Sequence, residues 1–233
     1  MKVPILLPNI FNHPFTYESD LNLKFGDYVV VPFGKSKVIG VVWDEFEQNK
    51  HKKFKTKSIL QKLEVTPLKK KTIKFLNWFA EYNIIPKGLA LKLVLLSGKA
   101  IESKKKESYK NFKFVDKKNS INLSDEQIAS LNKMNIDNHK FRVHVLQGTT
   151  GSGKTMVYFE ALKAILKDGF QGLILLPEIG LTSQFERKFL EFFGFNPAIW
   201  HSGITKKNKE IIWSGISNGQ IKVVIGARSS LFL

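Results

Sequence analysis

Gly148-Thr149-Thr150-Gly151-Ser152-Gly153-Lys154-Thr155 fits the pattern G-x-x-x-x-G-K-[ST] without a mismatch, and its surroundings decide the fold of the second half of the chain. Three glycines let the backbone turn sharply, so that successive N–H groups converge on one concavity with no Cβ in the way of a phosphate. Lys154 is expected to reach the β- and γ-phosphates of a nucleotide and Thr155 to offer its hydroxyl to Mg²⁺. The flanks agree with a phosphate-binding loop. Phe141 to Gln147 alternates as a strand does, and Met156 to Lys167 carries helical spacing at Tyr158, Leu162, Ile165 and Leu166. A helix that starts beside the glycines aims the positive end of its dipole at the anion.

Outward from this loop the chain alternates between short apolar runs and amphipathic segments. Strands are expected at Gly172 to Leu176, Pro197 to Trp200 and Ile221 to Ile225, and helices at Leu181 to Phe193 and Lys207 to Ser217. That succession predicts a parallel sheet with helices on both faces, whose ligands sit at the carboxyl ends of the strands. The polar loops at those ends are Pro177-Glu178-Ile179-Gly180, His201-Ser202-Gly203 and Gly226-Ala227-Arg228-Ser229-Ser230. Upstream, Ser124-Asp125-Glu126-Gln127 opens a further helix with the S-x-x-Q capping pattern. Gln127 also occupies the place, ahead of the phosphate loop, from which an amide can donate to and accept from the adenine edge. Cap and adenine reader both remain open for it.

The first 65 residues read as β-rich. Asp27 to Val31 and Val38 to Trp43 are β-branched runs separated by turn residues, which predicts a hairpin in a small sheet or barrel, with a further short strand at Ser58 to Leu63. Thr66 and Pro67 are placed to start a helix, with Leu68, Phe75, Phe79 and Tyr82 recurring on one face as core residues. Gly88 to Leu96 adds a short apolar element. The expected division is a β-rich domain with C-terminal helices over 1–97, a basic linker over 98–120 and a phosphate-loop lobe over 121–233.

Composition bounds the function. With 233 residues and 43% hydrophobic content the chain can bury a sizeable core. No run reaches the roughly 20 apolar residues that span a bilayer, and MKVPILLPNIFNHPF lacks the form of a signal peptide, so the expected location is the cytoplasm with no membrane partner. The chain has no cysteine, which excludes disulfides and thiolate metal sites. Net charge is +17 and unevenly spread: residues 1–120 hold 24 Lys+Arg against 11 Asp+Glu, residues 121–233 hold 13 against 9. The basic excess outside the phosphate-loop half favours a polyanion.

The motifs GTTGSGKT, LLPEIGLTSQF (175–185), HSG (201–203) and IGARSSLF (225–232), in this order and spacing, resemble successive helicase motifs of the PriA family of bacterial replication-restart DNA helicases, also called primosomal protein N′. At the N-terminus PILLP, Phe15-Thr16-Tyr17 and Val31-Pro32-Phe33-Gly34-Lys35 resemble that family's domain for the 3′ end of a nascent strand at a fork. The resemblance implies an α/β chain: a small β-rich DNA-binding domain, then an incomplete RecA-like lobe of the superfamily 2 helicase type. It implies that Phe15, Thr16, Tyr17, Gly34 and Lys57 line the 3′-end pocket, that Gly148 to Thr155 with Gln127 hold ATP and Mg²⁺, and that Glu178, His201, Ser202, Gly203, Arg228 and Ser229 lie in loops that face single-stranded DNA or couple to the nucleotide. Arg228 is the best phosphate contact among these, and His201 orders its loop. The implied partners are forked DNA with a nascent 3′ end, single-stranded DNA, single-strand-binding protein and primosome proteins.

The sequence departs from the family pattern in three places. Thr16 stands where an acidic residue is common, and a hydroxyl lacks the carboxylate's charge-assisted strength. Only the lysine-rich linker occupies the interval where members commonly insert a winged-helix domain. The chain stops at Leu233, before the D-E-x-H strand, the second motor lobe and the cysteine-rich zinc segment, so zinc is expected only outside this chain. These departures lead to the expectation of an amino-terminal portion that binds ATP and DNA without hydrolysis. The alternative is a non-catalytic, structure-specific DNA-binding module with a nucleotide-sensing loop.

Overall fold

The computed structural model of the protein describes residues 1–44, 56–95, 123–136, 140–177 and 183–233. It divides into two compact units, one of Met1–Lys106 with Lys209–Ser217 and Phe232–Leu233, the other of Glu107–Asn208 with Asn218–Leu231. The expected linker over 98–120 lies outside the described residues.

The first unit is an antiparallel sheet of β1 (Lys2–Leu6), β2 (Phe15–Glu18), β3 (Tyr28–Phe33), β4 (Ser36–Val42) and β5 (Gln61–Lys62), in the order β2-β1-β4-β3-β5. The expected hairpin is β3–β4, closed by Gly34 and Lys35 between paired Phe33 and Ser36, with Gly34 at φ +60. Such a φ is the left-handed region that tight hairpin turns require. The segment after Lys57 then closes the sheet. Glu18 N–H donates to the Lys57 carbonyl at 3.0 Å, Ile59 N–H donates to Glu18 at 2.9 Å, and Leu60 N–H donates to Val30 on the opposite side at 2.9 Å. One short stretch thus pairs with both β2 and β3, and the product is a small barrel.

Alternation along the strands sorts side chains into two cores. Val3, Ile5, Leu7, Tyr17, Val29, Val31, Val42 and Ile59 form one cluster, with Phe15 and Phe33 packed against it. Leu6, Tyr28, Val30, Val41 and Trp43 form the other, with Ile73, Leu76 and Ala80 of α1 (Lys70–Tyr82) and Ala90, Leu91 and Val94 of α2 (Lys87–Val94). A barrel strand buried on both faces explains the unbroken Tyr28-Val29-Val30-Val31 run. At Gly40 a Cβ would stand 2.5 Å from Ile5 Cγ2 and 2.7 Å from Leu7 Cδ2, so β1 and β4 pack here as only glycine permits.

Two expectations for α1 need correction. The helix starts at Lys70, behind an extended Lys69, and not at Thr66-Pro67. Leu68 N–H donates to the Gly26 carbonyl at 2.8 Å, and that tie to the barrel holds the chain out of helical geometry until it is past. The buried stripe is Ile73, Leu76 and Ala80, while Tyr82 is 73% exposed and stacks on Trp78 at 5.2 Å. Leu68, Phe75 and Phe79 are half-buried and pack against the same core as expected, so of the predicted face only Tyr82 is turned to solvent.

Beyond residue 123 the chain runs α3 (Asp125–Met134), α4 (Lys154–Lys167), β6 (Gly172–Leu175), α5 (Ser183–Phe193), β7 (Ala198–Trp200), α6 (Lys206–Ser217), β8 (Val223–Gly226) and a 3₁₀ turn (Arg228–Phe232). The strands form a parallel sheet in the order β6-β8-β7, as the αβ alternation predicts. Phe159 and Leu166 of α4, Phe189, Phe192 and Phe193 of α5, and Val223 and Ile225 of β8 make its core. The strand expected over 141–147 does not form: no ladder is assigned there, and its alternate residues Phe141, Val143 and Val145 are 92%, 77% and 90% exposed. Alternation shows that a segment suits a pleat, but a strand exists only with a hydrogen-bonding neighbour. Among the described residues no helix is long and apolar enough to cross a membrane.

Candidate nucleotide and nucleic-acid sites

The phosphate loop stands at the N-terminus of α4, whose cap is Gly153 at φ +77. Gly151, at φ +85, has open space where a Cβ would be. Lys154 folds back over the loop and donates Nζ–H to the carbonyls of Gly148 at 2.7 Å and Thr149 at 2.6 Å. Thr155 Oγ1 accepts from the Tyr158 hydroxyl at 3.2 Å. A cavity of about 750 Å³ opens beside the loop, lined by Thr150 to Met156 except Ser152, and by Lys188, Glu191 and Phe192 of α5. Its size suits a nucleotide. One hydroxyl is a sparse donor set for a metal, but it matches Mg²⁺ that arrives on phosphate oxygens. Among the described residues no group of three or more His, Cys, Asp or Glu could hold a metal by itself.

Gln127 is tied to this loop in two ways. Ser124 Oγ accepts from Gln127 N–H at 3.3 Å while Gln127 Oε1 accepts from Ser124 N–H at 3.0 Å, a complete capping box on α3. Its Nε2 also donates to the Ser152 carbonyl at 3.1 Å. The helix cap and the phosphate loop therefore share one amide, which still has one lone pair and one N–H to offer. Gln127→Ala is expected to cost about 1 kcal/mol of stability through the lost cap. Urea denaturation of the two proteins side by side checks this, and a loss under about 0.3 kcal/mol counts against it.

At the strand ends, a groove of about 650 Å³ gathers Leu175, Leu176 and Pro177 after β6, Ser202 after β7, and Ala227, Arg228 and Ser229 after β8. Arg228, Ser229 and Ser202 are exposed, and His201 Nδ1 accepts from Gly203 N–H at 3.1 Å, which fixes the loop after β7. Behind them Ser230 is buried and donates Oγ–H to the Ala227 carbonyl at 2.6 Å. Glu178 lies outside the described residues.

The barrel gathers Phe15, Gly34 and Lys57 of the expected 3′-end residues, with Tyr17 buried beside them. The Phe15 and Phe33 rings meet edge to face at 5.3 Å, Lys57 Nζ–H donates to the Gly34 carbonyl at 3.5 Å, and the Tyr17 hydroxyl donates to the Pro32 carbonyl at 3.2 Å. Phe15 is half-buried and Tyr17 is 4% exposed. Burial pushes the Tyr17 phenol up, which keeps it a protonated donor. Thr16 pairs with Pro4 and points to the opposite face of β2 from its two neighbours.

Residues that sequence reasoning passed over join both sites. Lys188 and Glu191 of α5 reach the phosphate-loop cavity across the fold, with no motif to announce them. Phe11, His13 and Phe33 surround Phe15 with ring centroids 5.3, 5.1 and 5.3 Å from it. The signal available in advance was the density of rings in Phe11-Asn12-His13-Pro14-Phe15.

Comparison with known proteins adds two family matches: residues 2–96 match a family described as a 3′ DNA-binding domain, and residues 120–233 one described as the res subunit of type III restriction enzymes. Among full-length relatives, the replication restart protein PriA of Rickettsia conorii is 38% identical over 98% of this chain, and that of Bacillus subtilis is 35% identical over 54% of it. The PriA of Haemophilus influenzae is 26% identical across the whole chain, in an alignment of 307 residues, so that relative carries residues without a counterpart here. The chain spans about a third of the length of the Rickettsia protein, 35%.

Proposed function

Because the chain belongs to the family of the replication restart protein PriA, we propose that it is the portion of an ATP-dependent 3′-to-5′ DNA helicase that seats a DNA 3′ end and binds MgATP. The observation that carries the reading is the pairing, within one parallel-sheet unit, of a phosphate loop at a helix N-terminus with a groove across the strand ends that carries Ser202, Arg228 and Ser229. The first suits nucleotide phosphates; the second suits a sugar–phosphate backbone.

In this proposal the amides of Gly151 to Lys154 cradle the phosphates, Lys154 exchanges the Gly148 and Thr149 carbonyls for phosphate oxygens, and Thr155 contributes one oxygen to Mg²⁺. Gln127 reads adenine with the lone pair and N–H that the cap leaves over, and unchanged ATP-over-GTP preference in Gln127→Ala would confine it to capping. Arg228 neutralises a DNA phosphate, Ser202 and Ser229 donate to neighbouring ones, and His201 with Gly203 sets the loop between them. At the barrel mouth, Phe15 packs against the terminal nucleotide, the open space at Gly34 admits it, Lys57 pairs with its phosphate, and Tyr17 backs the pocket, while Thr16 faces the other side of β2 and leaves the terminal hydroxyl without a partner from that position. The substrate is a fork with a nascent 3′ end, and the setting is replication restart in the cytoplasm with single-strand-binding protein and primosome proteins.

Among the described residues the cavity beside the phosphate loop has a single carboxylate in its wall, Glu191. Orientation of an attacking water asks for more, so this chain by itself is expected to bind MgATP without appreciable turnover. The test of the DNA reading is fluorescence anisotropy with forks that end in a free 3′-hydroxyl or a 3′-phosphate. We expect about 5-fold or more tighter binding of the free end, the size of one lost neutral hydrogen bond; equal affinities would overturn the reading.

A further inference from the structure

We propose that Phe11 is a stacking platform for the penultimate base of a single-stranded 3′ end whose terminal nucleotide enters the barrel mouth beside Phe15, Gly34 and Lys57. The inference rests on the 3′-end reading above and adds to it a residue, a nucleotide position and a mode of contact.

Of the rings gathered at the mouth, Phe11 is the accessible one. It is 40% exposed, whereas Phe15 and Phe33 are half-buried and Tyr17 is buried. Its inner edge meets Phe15 at 5.3 Å and 89°, and Phe33 at 6.4 Å and 69°. His13 stands 5.8 Å away at 55°, and with these three neighbours in place 40% of the residue is still open to solvent. The 5.3 Å separation from Phe15 is on the scale of one nucleotide step, about 3.4 Å in a stacked strand and longer when the strand is stretched.

An exposed phenylalanine on a loose loop would lose in ordering what it gained in contact, but this loop is fastened. Phe11 N–H donates to Asn9 Oδ1 at 3.0 Å, Gly88 N–H donates to the Phe11 carbonyl at 3.1 Å, and Lys87 N–H donates to Asn12 Oδ1 at 3.0 Å. Lys87 and Gly88 are the first residues of α2, so the loop satisfies helix N–H groups that have no partner inside the helix, and those groups in turn fix the loop. A Cβ at Gly88 would collide with the Asn9 and Leu7 carbonyls. The glycine is what lets the helix start come this close.

Charge selects the occupant. Lys57 stands on the Gly34 carbonyl, and Lys35 and Lys37 are exposed on the same hairpin, so cations border the rings on this side. Aromatic faces interleaved with lysines suit a single strand, because every base has a π-face and every step a phosphate.

The experiment uses the full 233-residue chain and 3′-ended oligonucleotides that are intact or carry an abasic site at the penultimate position. The unmodified protein is expected to bind the abasic strand on the order of 10-fold more weakly. Phe11→Leu keeps the apolar bulk but has no π-face; it is expected to show the same loss on intact DNA and to treat both strands alike, with thermal unfolding unchanged. Equal affinity of the unmodified protein for the two strands overturns the inference, as does full discrimination retained by Phe11→Leu. Either result beside a preserved preference for a free 3′-hydroxyl leaves the 3′-end reading standing, whereas loss of that preference sinks both.

Discussion

Lys154→Ala is expected to lower MgATP affinity about 100-fold while leaving DNA binding at the barrel and the melting temperature nearly unchanged. The Lys154 ammonium is already drawn to the centre of the loop by the Gly148 and Thr149 carbonyls, at 2.7 and 2.6 Å. Phosphate oxygens that enter the loop replace neutral acceptors with charged ones around a cation that needs little reordering. Hydrogen bonds to charged groups contribute about 1.5–3 kcal/mol, and 2.7 kcal/mol corresponds to about two decades in the dissociation constant. Alanine is a good helix former at the first residue of α4, and Gly153 still supplies the left-handed cap, so the fold has no reason to fail. Arginine at this position is not expected to rescue, because a planar guanidinium cannot act as a compact point charge inside a tight loop. Calorimetric titration with a non-hydrolysable ATP analogue measures the effect. A loss smaller than about 3-fold, less than one charge-assisted hydrogen bond, would mean that this lysine serves the loop and not the ligand.

What could be read from the residues follows from how local the cause is. The phosphate loop, the Ser124–Gln127 cap and the β3–β4 hairpin are each specified within about ten residues by turn geometry and side-chain chemistry, and each stands where the pattern puts it. The barrel closure was less accessible, because it depends on Glu18 meeting Ser58 across 40 residues. The mouth inherits that dependence: Phe11, Phe15 and Phe33 converge only once the strands carrying them have closed, so their neighbourhood cannot be counted off along the chain. Residues 141–147 fail for a related reason, since alternation says nothing about whether a neighbour is there to pair. In α1 contact with the barrel buries Ile73, Leu76 and Ala80 most deeply, keeps Phe75 and Phe79 at the edge of the core and leaves Tyr82 in solvent, a grading that spacing alone does not give. The Gln127 amide shows both cases at once, since its cap can be counted off the S-x-x-Q pattern and its contact with the Ser152 carbonyl cannot.

The second large effect concerns the packing that holds the phosphate loop up. Phe159→Ala is expected to destabilise the second unit by about 4 kcal/mol, within the range for buried phenylalanine truncation. Phe159 lies one turn beyond Thr155 on α4, is fully buried, and meets Phe185, Phe189, Phe192 and Phe193 of α5 at ring separations of 5.8, 5.7, 5.2 and 5.3 Å. Truncation removes the ring on which these four rings of α5 converge, and three of those meetings are edge-to-face at 61° to 83°, an arrangement worth more than its buried area alone. The helices α4 and α5 are the two walls of the phosphate-loop cavity, so nucleotide affinity should fall together with stability, in contrast to Lys154→Ala, where affinity falls alone. Saturating MgATP should restore part of the lost stability by binding the folded form, about 2.7 kcal/mol at a hundredfold excess over the dissociation constant. Phe159→Leu keeps most of the volume and should cost about 1.5 kcal/mol or less. Urea denaturation of the three proteins, with and without MgATP, orders them. Phe159→Ala within about 1 kcal/mol of the unmodified protein would show that the ring cluster, contrary to the range for such truncations, does not carry this core.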